Sequence, residues 1–119
     1  MTDLLTALQS AERGSRELDA LVEKTLGLAI TTDRTGLAMA GDGTRYRVPH
    51  YTTSIDAALA LVERVLPGWW PSVAQVGPGK WSADIYVPSD TGSQSPAHAP
   101  TPPLALVIAL VRAKEARDA

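Results

Sequence analysis

The chain has 119 residues, a net charge of −2 and no cysteine, which suits a single domain over residues 1–119 with one hydrophobic core. The mildly acidic balance, with a pI near 5.6, gives no bulk attraction to polymeric nucleic acid. The lack of thiols excludes disulfides and Cys-ligated metal and fits a cytoplasmic chain. Nor is a targeting or membrane segment expected: MTDLLTALQSAERG has no basic stretch before an apolar core, and the apolar run Leu104 to Val111 is far shorter than the ~20 residues of a membrane span.

From the N-terminus, Thr2 or Asp3 can start a helix with Leu4, Leu5, Leu8 and Ala11 on one stripe. Gly14 interrupts it. Ser15 can then cap a second helix to about Leu26, with Leu18, Leu21, Val22 and Leu26 as its apolar face and Gly27 in place to end it. Thr31 to Gly36 reads as loop, after a brief extended piece at Leu28 to Ile30. Leu37 to Ala40 and Thr44 to Val48 flank Gly41-Asp42-Gly43, the composition of a hairpin turn.

The segment Arg45 to Leu66 joins that strand to a third helix through Pro49. Any of Thr52, Thr53 and Ser54 can cap the helix, and Ile55, Leu59, Val62 and Leu66 repeat at helical spacing beside Ala58, Leu61 and Val65. Pro67-Gly68 stops it. Ser72 to Val76 and Lys80 to Val87 then flank the turn Gly77-Pro78-Gly79. In the second of these, Trp81, Ala83, Ile85 and Val87 alternate with polar residues, as in a strand buried on one face. Residues 88–100, rich in Ser, Pro and Gly, read as a flexible surface loop. Thr101 is placed to cap a last helix with Pro102 at its first position. Its apolar residues cover far more than half its circumference, which implies burial on two sides: by the sheet, and by another helix or a second subunit. The expected fold is α+β, a small mainly antiparallel sheet of about four strands layered with three to four amphipathic helices.

The strand–helix junction gathers the side chains most suited to binding. Arg45 and Arg47 alternate with Tyr46 and so share a strand face. Paired guanidiniums bind phosphate, and a helix N-terminus favours an anion. His50, Tyr51, Thr52 and Thr53 follow at once, and Tyr51, Trp69 or Trp70 could stack a base. Each has a plainer role: charges protecting an edge strand, a tyrosine packed on the core, tryptophans closing the core or anchoring an oligomer. No catalytic motif stands out. Gly79-Lys80 lacks the glycine-rich loop, the following Ser or Thr and the helix of a phosphate loop. His50 and His98 have no ligand at helical spacing, and no nucleophile elbow occurs. No enzymatic activity, metal or cofactor is expected.

Three stretches, ERGSRELDALVEKTLG, VPHYTTSIDAALALVE and APTPPLALVIALVRAKEAR, together resemble the phage alpha-beta-alpha (ABA) sandwich domain family, over about Leu5 to Arg117. The most specific matches are Pro49, Tyr51, Thr52, Ser54, Asp56, Ala57 and Ala58, with the Ala/Pro-led last helix; Leu18-Asp19 is a weaker marker. The resemblance implies a sheet layered by helices and a phage or prophage origin, with no catalytic residues to carry over. On that footing the expected function is a non-enzymatic sponge in the bacterial host cytoplasm, sequestering a small anionic nucleotide signal of host immunity. The alternative is a protein-binding module that inhibits or adapts a host or phage partner. A homo-oligomer is expected, from the broad apolar surface of the last helix and Trp69-Trp70.

Overall fold

The computed structural model describes residues 2–87 and 96–118. Its architecture follows from the position of the last helix, α4 (Pro102–Asp118), which lies at the centre of the molecule. Every residue from Leu104 to Val111 is at most 2% exposed. A sheet of three strands packs on one side: β4 (Trp70–Gly77), β5 (Lys80–Tyr86) and β6 (Ala97–Ala99). On the other side lie α1 (Thr2–Ser10) and α3 (Ile55–Val65). The layers therefore run sheet, helix, helices. This explains an apolar circumference that a surface helix would not tolerate. The cover expected from a helix or a second subunit is supplied by the chain itself.

The fold is α+β, but its strands form two sheets where one was expected. The second sheet is β1 (Thr31–Thr32), β2 (Leu37–Met39) and β3 (Arg45–Arg47), in that order and antiparallel. Both hairpins expected from the glycine turns are present. Gly43 and Gly79 take left-handed backbone, with φ of 87° and 62°, at the two turns. They do not merge, because Pro49 and α3 come between them and lead the second hairpin onto α4, while the first sheet meets α2 (Arg16–Thr25) through β1 and through the Tyr46 hydroxyl. Each sheet gains a third short strand from a stretch expected to be loop. Thr31–Thr32 pairs with β2, its turn tied by the Asp33 carboxylate, which accepts from the Thr35 and Leu37 N–H groups and the Thr35 hydroxyl. Ala97–Ala99 pairs with β5. Of the loop expected over 88–100, residues 88–95 lie outside the described residues.

The helix boundaries obey local chemistry. The Ser15 hydroxyl accepts from the Leu18 N–H at the start of α2. Gly27, at φ 75°, ends it by giving its N–H to Lys24, while the Leu28 N–H reaches the Glu23 carbonyl. Ser54, of the three candidates, caps α3 by accepting from the Ala57 N–H. The buried stripe of α3 is Ala58, Leu61 and Val62, continued by Leu66, whereas Ile55 and Leu59 turn partly to solvent. Thr101 does not cap α4 as expected. Pro102 and Pro103 have no N–H to offer, and the Thr101 hydroxyl is buried with no hydrogen-bond partner among the described residues.

Candidate functional site

The segment from Tyr46 to Thr52 is fastened to α2 by two acidic residues one helical turn apart, Asp19 and Glu23. Their spacing puts both on the side of α2 that carries Val22 and Leu26, whereas Glu17 and Lys24 face solvent. Both carboxylates are fully buried. A buried carboxylate needs donors to replace water, and here the junction supplies them. Glu23 accepts from the Tyr46 hydroxyl at 2.5 Å and the Tyr51 hydroxyl at 2.6 Å. Asp19 accepts from the Thr52 N–H at 2.8 Å and the Thr52 hydroxyl at 2.6 Å, and from Arg16 at 2.7 Å.

Arg16 spans the two sides, since its other terminal nitrogen donates to the Val48 carbonyl. The guanidinium lies so close over Gly36 that a Cβ there would stand 2.3 Å from it. Thr52 is held a second time by the Ser15 N–H, at 3.0 Å to its hydroxyl. Gly14 permits this approach, since a Cβ at that position would fall 2.0 Å from the Thr52 carbonyl oxygen. Burial first, then the hydrogen bond to Glu23, raise the Tyr46 hydroxyl from 10.0 to about 12 and push the Tyr51 hydroxyl up as well. Both tyrosines are held as donors at neutral pH.

The structure thus separates the nine residues singled out from the sequence. Tyr46, Tyr51 and Thr52 point inward and spend their polar groups on α2. Arg45 and Arg47 are exposed on the outer face of the first sheet, on either side of Tyr46 as strand alternation requires. His50 and Thr53 are exposed in the turn before α3. Trp69 is half-buried against the core, while Trp70 is 54% exposed and lies on the other sheet. There its ring stacks on Tyr86, its cross-strand partner, with centroids 4.3 Å apart. Among the described residues singled out, the aromatic ones do not share the face of the two arginines: Tyr46 and Tyr51 turn to α2 and Trp70 lies on the other sheet.

Arg45, but not Arg47, borders a shallow hollow of about 370 Å³ on the first sheet. It is lined by Thr31, Thr32, Asp33, Leu37, Ala38, Met39 and Arg45. Cross-strand pairing sets Arg45 beside Met39 and Arg47 beside Leu37, so guanidinium groups flank two partly buried apolar side chains. Asp33 lies at the rim, its carboxyl held below the ordinary range chiefly by the Thr35 hydroxyl and to a lesser degree by Arg47. A second hollow of about 480 Å³ opens between α1 and α2, lined mainly by Ala7, Ala11, Arg13, Leu18 and Leu21. Among the described residues, no group of three or more His, Asp or Glu could hold a metal ion, and no helix is long and apolar enough to cross a membrane.

No protein-family model and no curated protein matches the chain. Among solved structures the fold recurs in a phage protein from Bacillus cereus ATCC 14579, with a TM-score of 0.62 over 88% of this chain and 96% of that one, at 19% sequence identity.

Proposed function

We propose that the chain is a phage-encoded, non-enzymatic protein that acts in the bacterial cytoplasm by binding another protein through the outer face of its first sheet. The observation that carries this reading is the parting of the arginines from every aromatic ring. Arg45 and Arg47, with Met39 and Leu37 beside them on β2, form a basic and apolar surface next to a shallow hollow that Arg45 lines. Such a surface suits a partner segment that presents carboxylates beside apolar side chains, since methionine and arginine both adapt well to protein contacts. Phage origin is supported by the source of the structural neighbour and by the Pro49 to Ala58 segment, which also supports membership of the ABA sandwich group.

One observation favours a second reading, the sponge. Arg45 lines a hollow together with Thr31, which is on the same face of the sheet and whose hydroxyl is a donor suited to a phosphate group. Asp33 at the rim and the lack of a stacking ring count against it. The experiment that separates the two sets affinity capture from phage-infected host lysate beside calorimetry with a nucleotide library. The protein-binding reading expects a specific protein retained by the wild type and lost with Arg45→Glu/Arg47→Glu. The sponge expects instead a nucleotide recovered intact after heating. Arg45→Ala then weakens its binding roughly 10- to 150-fold, the equivalent of one charged hydrogen bond. Retention of the same protein by the charge-reversed variant would end the first reading.

A further inference from the structure

We propose that the free edge of β4 pairs antiparallel with β4 of a second copy of this chain, about a two-fold axis at Val73. β4 is an edge strand, since the sheet order is β4-β5-β6 and no strand among the described residues pairs on its other side. It is eight residues long, and WPSVAQVG carries no charge. Protein edges of this length are ordinarily shielded by lysine, by a bulge or by a covering element, because their unpaired N–H and C=O groups recruit other strands. Among the described residues the shielding lies at the ends, as Pro71 and as the irregularity between Gln75 and Gly77.

The occupant follows from the symmetry of the side chains. An antiparallel pairing of identical strands requires partners of the same parity about its centre, so that facing residues share a side of the sheet. A two-fold axis at Val73 sets Trp70 of each copy against Val76 of the other, and Ser72 against Ala74. Trp70 and Val76 are 54% and 58% exposed, among the most exposed large apolar residues described, and they stand equally far from Val73. The pairing covers both in one step. It also brings no like charges together, which a random partner strand does not guarantee.

The backbone accounting agrees. Pro71 has no N–H to give β5, so its backbone groups belong on the edge side, and alternation puts those of Val73 and Gln75 there as well. The two Val73 residues exchange N–H and C=O groups, and each Gln75 N–H reaches a Pro71 carbonyl. The two sheets become one continuous sheet. The inference is independent of the partner proposed for the first sheet.

Sedimentation equilibrium at micromolar concentration tests it. The wild type should show twice the chain mass, and Ala74→Lys, which puts a charge on the edge, should return it to the single mass with an unchanged circular dichroism spectrum. Ile55→Lys, a change to an exposed apolar residue on α3, should stay double. Because the chain has no cysteine, Ser72→Cys/Ala74→Cys supplies an independent check. Residues 72 and 74 face each other across the axis as non-hydrogen-bonded pairs, about 4.5 Å apart between Cα atoms and within disulfide reach, so mild oxidation should link the copies there and not in a Thr44→Cys control. A single-mass wild type, a double-mass Ala74→Lys, or a dimer of the double-cysteine variant that does not link each overturns the proposal.

Discussion

Glu23 is the acceptor for two tyrosine hydroxyls and lies out of reach of water. Glu23→Ala therefore leaves two donors unsatisfied and should cost about 2–5 kcal/mol of stability, whereas Glu23→Gln, which keeps one acceptor, should cost less, about 1–2 kcal/mol. Urea denaturation measures both. The same pair of tyrosines sets an alkaline limit. Their hydroxyls ionise at higher pH in the folded chain than in the unfolded one, so their contribution is complete below pH 10. It is lost as pH rises towards the Tyr46 value of about 12. Stability should be level up to about pH 9 and then fall. Tyr46→Phe, starting from a lower level, should fall less steeply. Gly14→Ala tests the tightest approach, since its Cβ meets the Thr52 backbone and not a movable side chain. A loss of about 2 kcal/mol or more is expected, with a shift in melting temperature as the readout.

At the scale of elements, α4 shows what sequence pattern can and cannot convey. Its apolar circumference announced burial on two sides, but the identity of the second cover is a tertiary fact, supplied by α1 and α3. Leu106 is fully buried between those layers. Leu106→Ala should cost about 2–5 kcal/mol, and Leu106→Glu should abolish cooperative unfolding in calorimetry. The Ser15 cap and the glycine turns were legible because each depends on neighbouring residues alone, as Gly27 and Gly43 act within their own turns; the cap of α3 was legible only as one of three residues, and Thr101 was misread as a cap because the prolines after it offer no N–H. The short strands Thr31–Thr32 and Ala97–Ala99 were not, since two or three residues carry no periodicity and exist only by pairing with a longer neighbour.

Over the whole molecule, the candidate site was legible as chemistry and not as placement. Strand alternation correctly put Arg45 and Arg47 on one face, but the same rule sent Tyr46 to the other, and the destination of that face was missing. It was α2, whose Asp19 and Glu23 share a side with Val22 and Leu26, an acidic pair on an apolar flank that the sequence does display. Spacing within a segment cannot show which distant segment it faces. A junction rich in Tyr, Thr and Arg is equally the composition of an internal clasp.

The central helix also follows, in chain order, the elements that pack on it. α1 and the sheet have to bury their apolar faces on residues that follow them, and Leu4 and Leu8 belong to the same core as Leu104 to Val111. A ribosome therefore makes α1, α3 and the sheet before it makes the helix on which they close. The earlier elements must stay soluble meanwhile through their own polar faces. Contacts between segments as far apart in sequence as α1 and α4 are entropically slow to form, so folding of this core should wait for α4 and not be built up piece by piece as the earlier elements are made. Pulse proteolysis of stalled nascent chains should find no protected core while α4 is held back from its partners, and full protection soon after its release.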